Sequence, residues 1–171
     1  AGLDKWFLKL FLEEEDLHVY FLVDSSRSMD FGEPSKFFVA KQLAAALGFV
    51  GMCRGDRVKI EFLGKSNVSS PVMRGRSQLW RMQDFVQSVA PGEAFSLADA
   101  TKRFCMRNTG RGILVLLSDL MDKEGYESAL RLLMAQQMDV FVLHLLSPEE
   151  MNPELAGDLK LVDCEDDDET E

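Results

Sequence analysis

Short, continuous apolar runs alternate along this chain with stretches whose apolar residues return every three or four positions. Residues 17–23 (LHVYFLV), 112–117 (GILVLL) and 139–146 (DVFVLHLL) are short and dominated by aliphatic and aromatic side chains, and each predicts a buried strand. Residues 57–63 (RVKIEFL) alternate apolar and polar positions as a strand does, and 159–162 predict a short edge strand. Helical spacing marks residues 35–52 through Phe38, Val39, Leu43, Ala46, Leu47 and Val50. It returns at 78–89, 97–106 and 126–134. Gly51 and Gly55 bracket the end of the first helix, and Pro91 and Gly92 break the second. Residues 24–34 and 64–75 are loops by composition, the latter with room for an extended segment at 68–73.

This alternation predicts an α/β fold, a parallel sheet covered by helices on both faces. Ligands of such folds sit at the carboxyl ends of strands, where strand order reverses. The loops after residues 23 and 117 are therefore the places to look for chemistry. A length of 171 residues fits one domain, taken as 1–163, followed by an acidic tail at 164–171 (CEDDDETE) expected to be disordered.

Charge narrows the functions. A net charge of -10 with scattered Lys and Arg argues against nucleic acid. The modest group Arg74, Arg76 and Arg81 reads as solvated surface. Cys53, Cys105 and Cys164 form no CxxC pair and read as small buried apolar residues of a reducing compartment. No secretory leader pattern is visible and no apolar run is long enough to span a membrane, so the chain is expected to be cytoplasmic. The amphipathic opening at 6–12 leaves room for a longer, membrane-anchored protein from which this is a piece.

The first strand-end loop reads Asp24-Ser25-Ser26-Arg27-Ser28, an Asp-x-Ser-x-Ser spacing, and the second reads Leu117-Ser118-Asp119. Hydroxyls and carboxylates brought together at strand ends make a site for a hard cation such as Mg²⁺, which prefers oxygen ligands and retains several waters. Ser26 and Ser28 are the direct ligands, while Asp24 and Asp119 hold coordinating waters. With few direct carboxylates, the ion keeps positive charge with which to attract an acidic partner. Two carboxylates about 5 Å apart repel by roughly 3 kcal/mol at an effective dielectric of about 20, which a cation would relieve.

Asp24-x-Ser26-x-Ser28 followed by Met29 resembles the metal-ion-dependent adhesion site of von Willebrand factor A (vWA) domains, and Asp119 matches that site's later aspartate. The wider pattern is similar to the bacterial family catalogued as domain of unknown function fifty-eight. The resemblance is carried by residues 8–32, GDRVKIEFLG at 55–64, LVLLSDLMD at 114–122 and GDLKLVDCE at 157–165. It implies a Rossmann-like three-layer fold with a Mg²⁺ or Mn²⁺ site at its top. It also implies binding to a protein that supplies an acidic residue, often alongside a MoxR-type AAA+ ATPase. In one place the chain departs from the family. The third loop usually brings a threonine, but here Gly92-Glu93-Ala94-Phe95-Ser96-Leu97 puts Phe95 at that position, with Ser96 as the substitute if the loop slips by one residue.

Plainer roles stand beside these. Asp24 could simply satisfy backbone N–H groups of a turn. Ser25 reads as a spacer, Arg27, Asp30 and Glu33 as solvated loop, and Asp122 as the cap of the helix that follows it. His18 and His144 lack ligand partners at metal spacing and read as core residues of their strands, and the nine methionines read as core packing. Three functions compete: a non-enzymatic interaction module with a cation-assisted site, a metal-free scaffold of the same fold, and a Mg²⁺-dependent hydrolase or phosphotransferase with Asp24 as nucleophile. The last should bring a Lys or Arg to the transferring group, and no strand-end lysine is visible.

Overall fold

The computed structural model describes residues 17–153 and two short strands, Leu161–Val162 and Glu169–Thr170. Its centre is a five-stranded sheet in the order β3-β2-β1-β4-β5. The strands are β1 (His18–Asp24), β2 (Arg57–Leu63), β3 (Val68–Ser69), β4 (Gly112–Ser118) and β5 (Met138–His144). β1 pairs in parallel with β2 and β4, and β4 with β5; β3 alone is antiparallel. The expected α/β architecture is the one observed.

The period-two alternation of β1 builds two cores. Val19, Phe21 and Val23 face one side, where α1 (Lys36–Arg54) and α2 (Leu79–Ser88) contribute Phe37, Ala44, Met82 and Val86. Tyr20 and Leu22 face the other, beneath α3 (Leu97–Arg107) and α4 (Glu127–Met134), with Leu97, Phe104, Ala129 and Leu133. α1 starts where Ser35 accepts the Phe38 N–H and stops at Gly55, left-handed at φ 89°. Gly51, expected to end the helix, lies inside it. A Cβ there would stand 3.1 Å from Val58 Cγ2, so glycine is what lets α1 lie close on the sheet. By length and composition α1 is long and apolar enough to cross a membrane. In length and composition this departs from the expectation that no such run exists, and a third of the stretch is buried inside the fold.

Among the described residues, buried side-chain polar atoms inside this frame are paired except Thr101 Oγ1 and Arg103 Nε. Glu61 of β2 is buried and accepts from Arg107 (2.6 Å), Asn67 (2.7 Å) and Ser69 (2.6 Å). Arg107 is half-exposed, so water replaces part of what its loss would remove. Arg107→Ala should therefore cost only about 1 kcal/mol, a fall of about 2–4 °C in melting temperature.

Several expectations are corrected. β5 is no buried strand: it lies at the end of the sheet with Phe141 55% and Val142 38% exposed, because an apolar run cannot reveal how many neighbours a strand will have. His144, at the end of β5, is exposed, and Cys53 and Cys105 are only partly buried. The methionines divide: Met29, Met52, Met73, Met82 and Met138 are buried, while Met106, Met121, Met134 and Met151 are exposed. The strand expected at 159–162 is present at Leu161–Val162, but it pairs antiparallel with Glu169–Thr170, apart from the main sheet. That partner strand falls within the stretch expected to be disordered. Cys164, the other residues of 164–171 and the amphipathic stretch at 6–12 lie outside the described residues.

Candidate functional site

Strand order reverses between β1 and β4: the chain leaves β1 toward β2 on one side and returns as β4 on the other. Val23 and Leu117 are partners in the ladder, which sets Asp24 and Ser118 side by side at the strand ends. Ser118 Oγ donates to Asp24 Oδ2 at 2.6 Å, and Ser26 N donates to Asp24 Oδ1 at 2.9 Å. A 3-10 turn at Arg27–Asp30 follows and brings Ser28 back beneath Ser26, with their hydroxyl oxygens 3.0 Å apart. Asp24, Ser26 and Ser28 are all buried, whereas Arg27 between them is exposed. Burial pushes the Asp24 carboxyl above the usual aspartate range. Hydrogen bonds from Ser118 and Ser26 pull it back in part, and the Asp119 charge adds to the rise.

Asp119 is 2% exposed. Its Oδ1 accepts from Met121 N at 3.1 Å, and Leu120 between them is left-handed at φ 58°. That conformation is unfavourable for a residue with a large side chain, so the fold must hold this turn in place. It lets Ser118 Oγ accept from Leu120 N at 2.9 Å while its proton goes to Asp24. His144 Nε2 lies 3.1 Å from the Asp119 carbonyl oxygen, so the ring holds the turn rather than sitting in the core.

Asp122 does cap a helix, but not the one that follows it. Its Oδ2 accepts from Leu97 N at 2.7 Å, which ties the first residue of α3 to the site, and its Oδ1 accepts from Glu124 N. Ser96 caps the same helix, accepting from Asp99 N at 3.4 Å. Phe95 lines a small cleft with Asp24, Ser26, Leu97, Met121 and Asp122. The cleft has room of about 10 Å³, near the size of a single water or ion. The sequence-predicted residues Asp24, Ser26, Ser28 and Asp119 thus gather at one switch point, while Ser96 stands at the start of α3 with its hydroxyl accepting from Asp99 N. Ser25 is no spacer: its N–H and Oγ both donate to the Leu63 carbonyl, at 3.1 and 2.5 Å, and its own carbonyl accepts from Gly92 N at 2.7 Å.

Sequence reasoning missed Lys36 and gave Ser118 no role. Lys36 opens α1, is 3% exposed, and sends Nζ to Asp119 Oδ2 at 2.8 Å and Glu150 Oε1 at 2.5 Å. Burial works against its charge. The hydrogen bonds and charges of Asp119 and Glu150 outweigh that and hold it above the usual lysine range. Glu150 is itself fixed, since its other oxygen accepts from Ser147 N at 2.8 Å in the capping box of α5 (Pro148–Met151). A signal for Lys36 was available: a lysine in the first turn of a helix opposes the helix dipole and implies acidic company.

The donor set fits a hard cation. Cis ligands of an octahedral Mg²⁺, at about 2.1 Å each, stand about 3 Å apart, which is the separation of the Ser26 and Ser28 hydroxyls. Among the described residues no three His, Cys, Asp or Glu side chains gather at ligand spacing, so an ion here depends on serine oxygen.

The family profile described as "Protein of unknown function DUF58" matches residues 1–171. The chain belongs to the DUF58 family. Uncharacterized proteins of Mycobacterium tuberculosis and Mycobacterium bovis are 27% identical over 160 residues, covering 90% of this chain and 50% of theirs. The chain therefore spans about half the length of the curated relatives it matches. BatB of Bacteroides thetaiotaomicron, a conserved hypothetical protein, superposes with a TM-score of 0.59 at 22% identity, over 78% of this chain and 68% of that one. A von Willebrand factor type A structure from Catenulispora acidiphila gives 0.57 at 13%, over 74% and 32%. Manganese-loaded TRAP protein of Plasmodium vivax gives 0.50 at 17%, over 81% and 61%. The DUF58 chain has a vWA-like fold.

Proposed function

We propose that this DUF58 domain binds another protein through a site organised by a divalent cation, Mg²⁺ or Mn²⁺, at the junction of β1 and β4. The observation that carries this reading is the meeting of Asp24, the Ser26–Ser28 hydroxyl pair and Asp119 at the ends of β1 and β4, where Asp24 and Ser26 line an ion-sized cleft. Ser26 and Ser28 would hold the ion, with Asp24 and Asp119 acting through water. The ion would supply a positive centre for an Asp or Glu of the partner. Phe31 and Met121, each about half-exposed, offer apolar contact beside the site. The manganese in the TRAP structure is in keeping with such a site. We propose that the process is cytoplasmic and, from the family resemblance, that it involves a MoxR-type AAA+ ATPase.

The test is calorimetric titration with Mg²⁺ and Mn²⁺ of the wild type and Asp24→Ala. Saturable binding that disappears in the mutant is expected. Equal affinity in the two would put the ion elsewhere, and no binding in either would leave the metal-free scaffold.

Two observations favour that second reading: Phe95 stands in the cleft lining where a hydroxyl would help, and Lys36 already neutralises Asp119. Lys36 is also the cation that the hydrolase reading had lacked. It is held by two carboxylates, and Asp24 sits in surroundings that disfavour its charged, nucleophilic form. The proposal is therefore a binding module without catalysis.

A further inference from the structure

Lys36 sits where a cation at Asp119 would have to compete with it. Asp119 has committed Oδ1 to Met121 N and Oδ2 to the ammonium. An ion that draws on this carboxylate, directly or through water, must share it with a positive charge 2.8 Å away or displace that charge. Displacement has a prepared route. Lys36 already touches Glu150, whose position the capping box fixes, so the ammonium can give up Asp119 and remain paired.

We propose that Lys36 is the residue that sets cation affinity at this site: a tethered positive charge that competes with the divalent ion for Asp119, with Glu150 as its alternative partner. The inference rests on the cation-site reading above and adds to it an internal competitor. Removing the Lys36 charge should tighten Mn²⁺ binding, because the ion then meets an unneutralised Asp119. Removing the Glu150 charge should weaken it, because the ammonium then has Asp119 alone.

The same pair explains why the lysine is kept when no ion is bound. Without either cation, Asp119 would be a buried carboxylate with no counter-charge, which is strongly destabilising. Lys36→Met should therefore show a metal-dependent fold, with a lowered melting temperature in chelator and a larger rise on adding Mn²⁺ than the wild type shows.

The experiment measures Mn²⁺ affinity by calorimetry, and melting temperature with and without Mn²⁺, for the wild type, Lys36→Met, Glu150→Gln and Asp24→Ala. Expected are a gain of about ten-fold or more for Lys36→Met and a loss for Glu150→Gln. Wild-type binding that Asp24→Ala abolishes, with Lys36→Met unchanged or weaker, overturns the competition and leaves the cation site standing. No binding in any of the four proteins removes both. Should Lys36→Met fold only with Mn²⁺, the inference is supported. Should it not fold at all, Glu150→Gln decides, and unchanged or tighter binding there overturns the inference.

Discussion

Asp24→Asn should leave the ion-free domain at least as stable as the wild type while removing cation binding. The side chain is 4% exposed, and a carboxylate buried to that degree has lost its hydration in exchange for a few donors. Asparagine keeps the carbonyl oxygen that accepts from Ser26 N. Its amide faces Ser118 Oγ, a hydroxyl that can turn from donor to acceptor. The neutral side chain thus retains the geometry and avoids the buried charge. For the ion the change is severe. A unit charge about 4 Å from a divalent cation is worth about 8 kcal/mol of gross attraction at an effective dielectric of about 20. With most of that offset by hydration, affinity should still fall about a hundred-fold or more. Thermal unfolding in chelator and calorimetry with Mn²⁺ together check both halves. A melting temperature well below wild type would mean that the Asp24 charge is structural, and retained affinity would mean that the ion binds elsewhere.

Phe104→Ala should be among the most damaging single truncations on the helical face opposite α1. Phe104 is fully buried, stands edge-on to Tyr20 at a centroid distance of 5.4 Å, and fills the second core beside Leu114 and Leu133. Truncating such a ring removes its burial and leaves a cavity, about 3–5 kcal/mol in all. The melting temperature should fall by roughly 6–20 °C. Met106, two residues on and 75% exposed, provides the contrast: Met106→Ala should stay within about 0.5 kcal/mol. Urea unfolding of both variants gives the comparison. A Phe104→Ala cost under about 1 kcal/mol would mean that α3 does not seal this core.

The strands and helices that frame the site were legible because each follows a period its neighbours enforce. β1 alternates between two cores, and α1 to α4 repeat at helical spacing. The exposure of β5 was not legible, since Val140, Phe141 and Val142 would read the same with a neighbour on one side or two. At the site, Asp24, Ser26, Ser28 and Asp119 could be picked out because they lie at the ends of apolar runs. Lys36 and Glu150 could not be joined to them by spacing: 83 residues separate Lys36 from Asp119 and 114 separate it from Glu150. Asp122 illustrates a subtler failure. Local rules assign a loop aspartate to the next helix, while here the fold places the earlier α3 within its reach.

Ser25 has a consequence for how a partner would be met. With its amide and hydroxyl on the Leu63 carbonyl and its carbonyl on Gly92, it fixes the loop that holds Ser26 and Ser28 to two other parts of the chain. A loop so tied has given up its conformational entropy during folding and gives up little more when a ligand arrives. Association then approaches the docking of rigid surfaces, and partners would be told apart by how long they stay rather than by how fast they come.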